Sequence, residues 1–162
     1  MIRKRKTTKD RRFMLRAIAL AKRASGKTYP NPMVGAVIVR RNKIISEGYH
    51  KRLGAPHAET SAIIKAKGAT KGASIYINLE PCTHYGRTPP CADRVIESGI
   101  KKVYVSMRDP NPIVNGKGLR LLKANGIKVS LGLCSKEAGL LNVDYVKYME
   151  KKRVYGSDRR DR

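Results

Sequence analysis

The chain has 162 residues, enough for one domain with a substantial core. Apolar residues make up 41%, with one Phe and no Trp, so Val, Ile, Leu, Ala and Tyr must fill the interior. Lys and Arg number 36 against 12 Asp and Glu, and the net charge of +24 invites an anionic partner. Part of that charge sits at the ends. Residues 1–12 hold seven basic side chains and one acid, and residues 151–162 hold six and two. No run approaches the roughly 18 apolar residues of a membrane span. No apolar stretch or small-residue cleavage site follows the basic start Met1–Lys6, so a cytoplasmic protein is expected. Cys82, Cys91 and Cys134 are too few for a disulfide framework and read as metal ligands or core.

Residues 1–9 form a basic N-terminal tail, residues 10–150 the domain and residues 151–162 a basic C-terminal tail. Phe13, Met14, Ala17, Ile18, Leu20 and Ala21 recur at helical spacing, with Asp10 as the cap and Gly26 as the stop. Thr28-Tyr29-Pro30-Asn31-Pro32 cannot be helical, because each proline fixes its own φ and biases the residue before it. Two β-rich runs follow, Val34–Val39 and Lys43–Tyr49, joined by a tight hairpin at Arg40-Arg41-Asn42. The pattern then alternates: helix 57–67, strand 74–79, helix 91–98, strand 102–106, helix 118–125, strand 128–131 and helix 136–149. A hairpin followed by βαβα units implies an α/β fold with one mixed sheet of about five strands and helices on both faces.

The chemistry lies at His57-Ala58-Glu59 and at Pro81-Cys82 with Cys91. Each residue has an ordinary reading alone: a surface histidine, a first-turn acid, two small core cysteines. Together they form a zinc set. Imidazole and thiolate suit borderline-soft Zn²⁺, and three protein ligands leave a fourth position for water. Zinc lowers the pKa of such a water to about 7. Glu59, two residues beyond His57, can face the same pocket without coordinating metal and can shuttle a proton. Cys91 opens a helix, where free amide N–H groups favour thiolates. H-x-E followed by P-C is the signature of zinc-dependent nucleobase deaminases.

Eight residues separate the two cysteines, Thr83-His84-Tyr85-Gly86-Arg87-Thr88-Pro89-Pro90, where the usual form has two. This longer loop resembles that of the riboflavin-specific pyrimidine deaminases, the N-terminal half of bifunctional deaminase/reductases. The resemblance extends to Asp10-Arg11-Arg12-Phe13-Met14, Pro30-Asn31-Pro32-Met33-Val34-Gly35-Ala36-Val37 and Gly48-Tyr49-His50. It continues through Gly54-Ala55-Pro56-His57-Ala58-Glu59, Leu79-Glu80-Pro81-Cys82, Asp109-Pro110-Asn111-Pro112 and Gly116-Lys117-Gly118. The resemblance implies a cytidine-deaminase-like three-layer α/β/α sandwich. It implies deamination of a ribosylamino-diaminopyrimidinone 5′-phosphate to the corresponding uracil and ammonia, with zinc on His57, Cys82 and Cys91 and Glu59 as the proton carrier. Substrate contacts carry over to Asn31, His50, His84, Arg87, Asp109 and Asn111, with Arg87 suited to pair a phosphate. A homo-oligomer is implied as well. Two departures stand out. Thr60 and Ser61 follow Glu59, where relatives often place Asn at the second position. No dinucleotide-binding half follows residue 150, so the expectation is either a stand-alone deaminase served by a separate reductase chain or an excised or degenerate domain.

Two other functions compete. The charge favours a deaminase of tRNA or other nucleic acid; the long cysteine loop and the shortage of aromatic stacking platforms disfavour it. A non-catalytic partner of a reductase would not need His57, Glu59, Cys82 and Cys91 all intact.

Overall fold

The computed structural model describes residues 8–86 and 88–157. Five strands form one mixed sheet: β1 (Gly35–Arg40), β2 (Lys43–Tyr49), β3 (Ser74–Ile77), β4 (Lys102–Val105) and β5 (Lys128–Leu131), in the order β2-β1-β3-β4-β5. β1 runs antiparallel to both β2 and β3, whereas β3, β4 and β5 are parallel. The helices are α1 (Thr8–Lys22), α2 (Ala58–Lys65), α3 (Cys91–Glu97), α4 (Lys117–Ala124), α5 (Ser135–Leu141) and α6 (Val143–Ser157). Arg41 and Asn42 both take positive φ, 50° and 62°, as a two-residue hairpin loop requires.

The central strands are buried on both faces, and the period of two assigns each side chain to a layer. Ala36, Ile38, Ile75, Ile77, Val103 and Val105 pack under Ala58, Ala62, Val95 and Leu122 of α2, α3 and α4. Val37, Val39, Tyr76 and Tyr104 face the other way, against Phe13, Met14, Ala17 and Ile18 of α1 and Ala138 of α5. The result is the expected three-layer sandwich. Cys134, expected in the core, is buried there. Among the described residues no helix is long and apolar enough to cross a membrane.

Two local expectations need correcting. Asp10 does not cap the first helix, which already includes Thr8. Its carboxylate instead accepts a hydrogen bond from the Tyr76 hydroxyl at 2.6 Å, tying the first turn to β3. Residues 136–149 form two helices rather than one, with the break at Asn142 (φ −107°, ψ 26°). There the Asn142 amide serves the Met33 backbone twice: Oδ1 accepts from Met33 N–H and Nδ2 donates to Met33 C=O, both at 2.8 Å. Asn78 adds a bond from its Nδ2 to the same carbonyl and accepts from Gly35 N–H. These two buried amides fix the segment leading into β1.

The strand directions gather one end of the sheet. The C-terminal ends of β2, β3 and β4 and the N-terminal end of β1 lie together, so the segments around residues 31–34, 50–57, 78–91 and 106–111 converge. Open α/β sheets bind ligands at such an edge. Gly48 makes the convergence tight: a Cβ there would lie 2.5 Å from the Ala58 carbonyl oxygen and 2.7 Å from the Ala62 nitrogen. Only glycine lets the start of α2 sit this close to β2.

Candidate active site

His57 is the residue before α2, in extended conformation (φ −66°, ψ 159°), which turns its ring back toward the end of β3. Its Nδ1 lies 3.2 Å from Cys91 Sγ and 3.8 Å from Cys82 Sγ. The three ligand atoms fall within 4.8 Å of one another, and among the described residues no fourth His, Cys, Asp or Glu joins the cluster. Cys91 begins α3, and its free backbone N–H donates to Cys82 Sγ at 3.3 Å, as a helix start should toward a thiolate. One imidazole and two sulfurs with an open side fit a catalytic zinc ion.

The charges follow from this crowding. The neighbouring thiols split in opposite directions: Cys82 beside it and burial push Cys91 up, whereas Cys91 and His57 pull Cys82 down. The bond to Cys82 raises His57 against the opposing effect of burial. Glu59, in the first turn of α2, is 4% exposed, and desolvation pushes its carboxyl from the ordinary 4.5 up to about 7. His50 is held neutral chiefly by burial. Its Nδ1 is 3.2 Å from the Pro56 carbonyl, so the proton sits there and Nε2, without a partner among the described residues, is left as an acceptor. The His50 and His57 rings meet edge-on at 5.4 Å.

All of this faces a cavity of about 550 Å³, the size of a small-ligand site. Asn31, His50, His57, Glu59, Cys82, His84, Asp109 and Asn111 line it together. Cys91 is buried beside it. Arg87 lies outside the described residues, although Gly86 and Thr88 on either side of it line the cavity. Ser61 turns instead toward Gly48 of β2, and the Thr60 hydroxyl approaches Cys91 Sγ at 4.0 Å.

Residues 7–107 match the family model described as the cytidine and deoxycytidylate deaminase zinc-binding region, which spans His57, Glu59, Cys82 and Cys91. The chain belongs to this family. It is 51% identical to the diaminohydroxyphosphoribosylamino-pyrimidine deaminase of Buchnera aphidicola, across 87% of this chain and 96% of that one. It is 50% identical to the riboflavin biosynthesis protein RibD of Aquifex aeolicus over 90% of its own length but 41% of the relative's. Among solved structures, the deaminase/5-amino-6-(5-phosphoribosylamino)uracil reductase of Thermotoga maritima superposes with a TM-score of 0.85 at 45% identity. That match covers 89% of this chain and 42% of the other. The chain thus spans about two-fifths of the length of the Aquifex and Thermotoga proteins.

For a member of this deaminase family, three supporting residues escaped the sequence reading. Glu80 is 3% exposed and is anchored by three backbone N–H groups: those of Asp109 and Gly116 on Oε1 and of Leu119 on Oε2. It binds the Asp109 loop and the start of α4 to the strand end that carries Cys82. Gly118 permits this, since a Cβ there would lie 2.2 Å from the Pro81 carbonyl oxygen. Tyr145 of α6 donates its hydroxyl to Asp109 Oδ1 at 2.7 Å, and Asn142 anchors Met33 as described. An acid directly after the expected strand 74–79, within Leu79-Glu80-Pro81-Cys82, was the one available signal for Glu80. Asn142 and Tyr145, inside a helical pattern, gave none.

The raised Glu59 carboxyl makes zinc-stripped protein pH-sensitive. A folded-state value above the unfolded one contributes stability that is complete below pH 4.5 and is lost as pH rises through 7. Gln at this position stays neutral throughout. In chelator, Glu59→Gln and wild type should therefore melt alike near pH 4.5, with the variant more stable above pH 7 by about 3 kcal/mol. Identical melting curves across the range would contradict the burial argument.

Proposed function

We propose that this protein hydrolytically deaminates 2,5-diamino-6-ribosylamino-4(3H)-pyrimidinone 5′-phosphate to 5-amino-6-ribosylaminouracil 5′-phosphate and ammonia. The carrying observation is the cavity, in which a buried, near-neutral glutamic acid stands beside the His57–Cys82–Cys91 cluster while amide, imidazole and carboxylate groups line the walls. Bound at that cluster, zinc supplies a water acidified toward neutrality. Glu59 would take one proton from the water and pass it to the ring nitrogen, then take the second from the added hydroxyl and pass it to the departing amine, which leaves as ammonia. Its desolvated site keeps its proton affinity near the operating pH, where general acid–base transfer is most effective. Neutral His50 offers Nε2 as an acceptor to a substrate N–H, and Asn31, Asp109 and Asn111 read the polar ring edges. His84 and Arg87, on the loop between the cysteines, serve the ribosylamine phosphate.

The uracil product needs reduction next. We place that step on a reductase outside residues 1–162, an assignment supported by the two activities named for the Thermotoga relative. Residues 10–150 act as the deaminase domain, with residues 1–9 and 151–162 as basic tails, of which 8–9 and 151–157 belong to α1 and α6. The protein acts in the cytoplasm, in keeping with three free cysteines, and as a homo-oligomer.

The net charge of +24 is the observation that favours the second reading, deamination of tRNA. Purified protein offered the pyrimidine phosphate, cytidine and tRNA separately should release ammonia from the first. Ammonia from tRNA alone, with steep inhibition by salt, would overturn the proposal, since phosphate contacts exchange for counterions.

A further inference from the structure

We propose that Tyr145 is a positioning residue for substrate recognition: its hydroxyl, carried in by α6, orients the Asp109 carboxylate so that one oxygen is reserved for an N–H donor of the substrate. The inference rests on the diaminopyrimidine reading above and adds a residue and a segment to it.

Asp109 is held from three parts of the chain. Its N–H donates to Glu80 Oε1 at 3.1 Å, and its Oδ1 accepts from Asn111 N–H at 2.9 Å and from the Tyr145 hydroxyl at 2.7 Å. Two donors fill the lone-pair positions of Oδ1. Oδ2 has no hydrogen-bond partner among the described residues, and Asp109 lines the cavity together with Glu59. An ionised carboxylate only accepts. Reserving one of its oxygens selects a ligand rich in N–H donors, and an aminopyrimidine with exocyclic amines is such a ligand.

A purely structural role does not explain the hydroxyl. Tyr145 is 7% exposed, and a phenylalanine ring would bury as well without the cost of desolvating a phenol. The oxygen is compensated here by a carboxylate, the stronger kind of acceptor. The helix has its own tether, because Asn142 secures Met33 independently of Tyr145. Asp109 and Tyr145 also both lie beyond residues 7–107, the part matched by the zinc-binding region. The shared chemistry lies inside that part, and this recognition pair lies outside it.

The test measures binding in full-length, zinc-loaded Glu59→Gln protein, where the pyrimidine phosphate stays intact. Adding Tyr145→Phe should weaken calorimetric binding roughly tenfold, the value of a hydrogen bond to a charged group. With Glu59 present, Tyr145→Phe should raise KM by a similar factor and change kcat by less than about threefold. In an Asp109→Asn background the same change should cost less than about twofold, because the two residues act as one unit. Zinc content and melting temperature should stay close to wild type. Unchanged Kd and KM in Tyr145→Phe, or a full tenfold loss on top of Asp109→Asn, would overturn the role while leaving the functional reading in place. A parent protein that neither binds nor deaminates the pyrimidine phosphate would overturn both.

Discussion

Glu59→Gln should retain its zinc and lose at least about a hundredfold in turnover. The substitution keeps the side chain's size in a site that is 4% exposed, so packing around α2 is preserved. It removes a carboxyl that lines the cavity beside the ligands, is not itself in the metal-ligand cluster and is pushed up to about 7 by burial. Proton transfer to the leaving amine then falls to solvent, which the cavity restricts. Steady-state ammonia release, with elemental analysis of the same sample, checks both halves. Near-normal deamination would remove Glu59 from the mechanism. Loss of zinc would mean that the carboxylate holds the metal instead of moving protons.

The Cys82→Ala/Cys91→Ala double variant should lose both zinc and activity. It leaves only the His57 imidazole, and a lone nitrogen cannot hold zinc against solvent. Wild type should carry about one zinc per chain, and added zinc should raise its melting temperature, because a ligand bound only by the native state stabilises it by mass action. At a concentration of 1,000 times Kd that gain is about 4 kcal/mol. The double variant should show no such rise. Full zinc occupancy in the double variant, or none in wild type, would contradict the assignment.

The parts legible in the sequence were those with local signals. The continuous apolar run Val34–Val39 and the apolar residues of 74–79 and 102–106 located three central strands, since each is buried on both faces. The spacing of His57, Glu59, Cys82 and Cys91 marked the metal cluster, because helix starts after strand ends bring those positions together. What was hidden depends on contacts between distant residues. Asp10 reads as a cap until Tyr76, 66 residues away, claims its carboxylate. Asn142 breaks a helix because Met33, 109 residues away, offers both backbone groups to its amide. Glu80 and Tyr145 reach the site through Asp109; periodicity marks neither, and the motif Leu79-Glu80-Pro81-Cys82 that contains Glu80 does not reveal its backbone partners.

The most direct measurement of the whole account is to incubate the wild-type protein with the diaminopyrimidinone phosphate in water enriched in heavy oxygen. Ammonia is then quantified and the pyrimidine product weighed by mass spectrometry. Hydrolysis replaces a ring-carbon amine with an oxygen from solvent, so the expected product is a uracil carrying the heavy label, formed in step with ammonia and absent with Glu59→Gln. Intact substrate, or ammonia obtained from cytidine or tRNA but not from this phosphate, would contradict it.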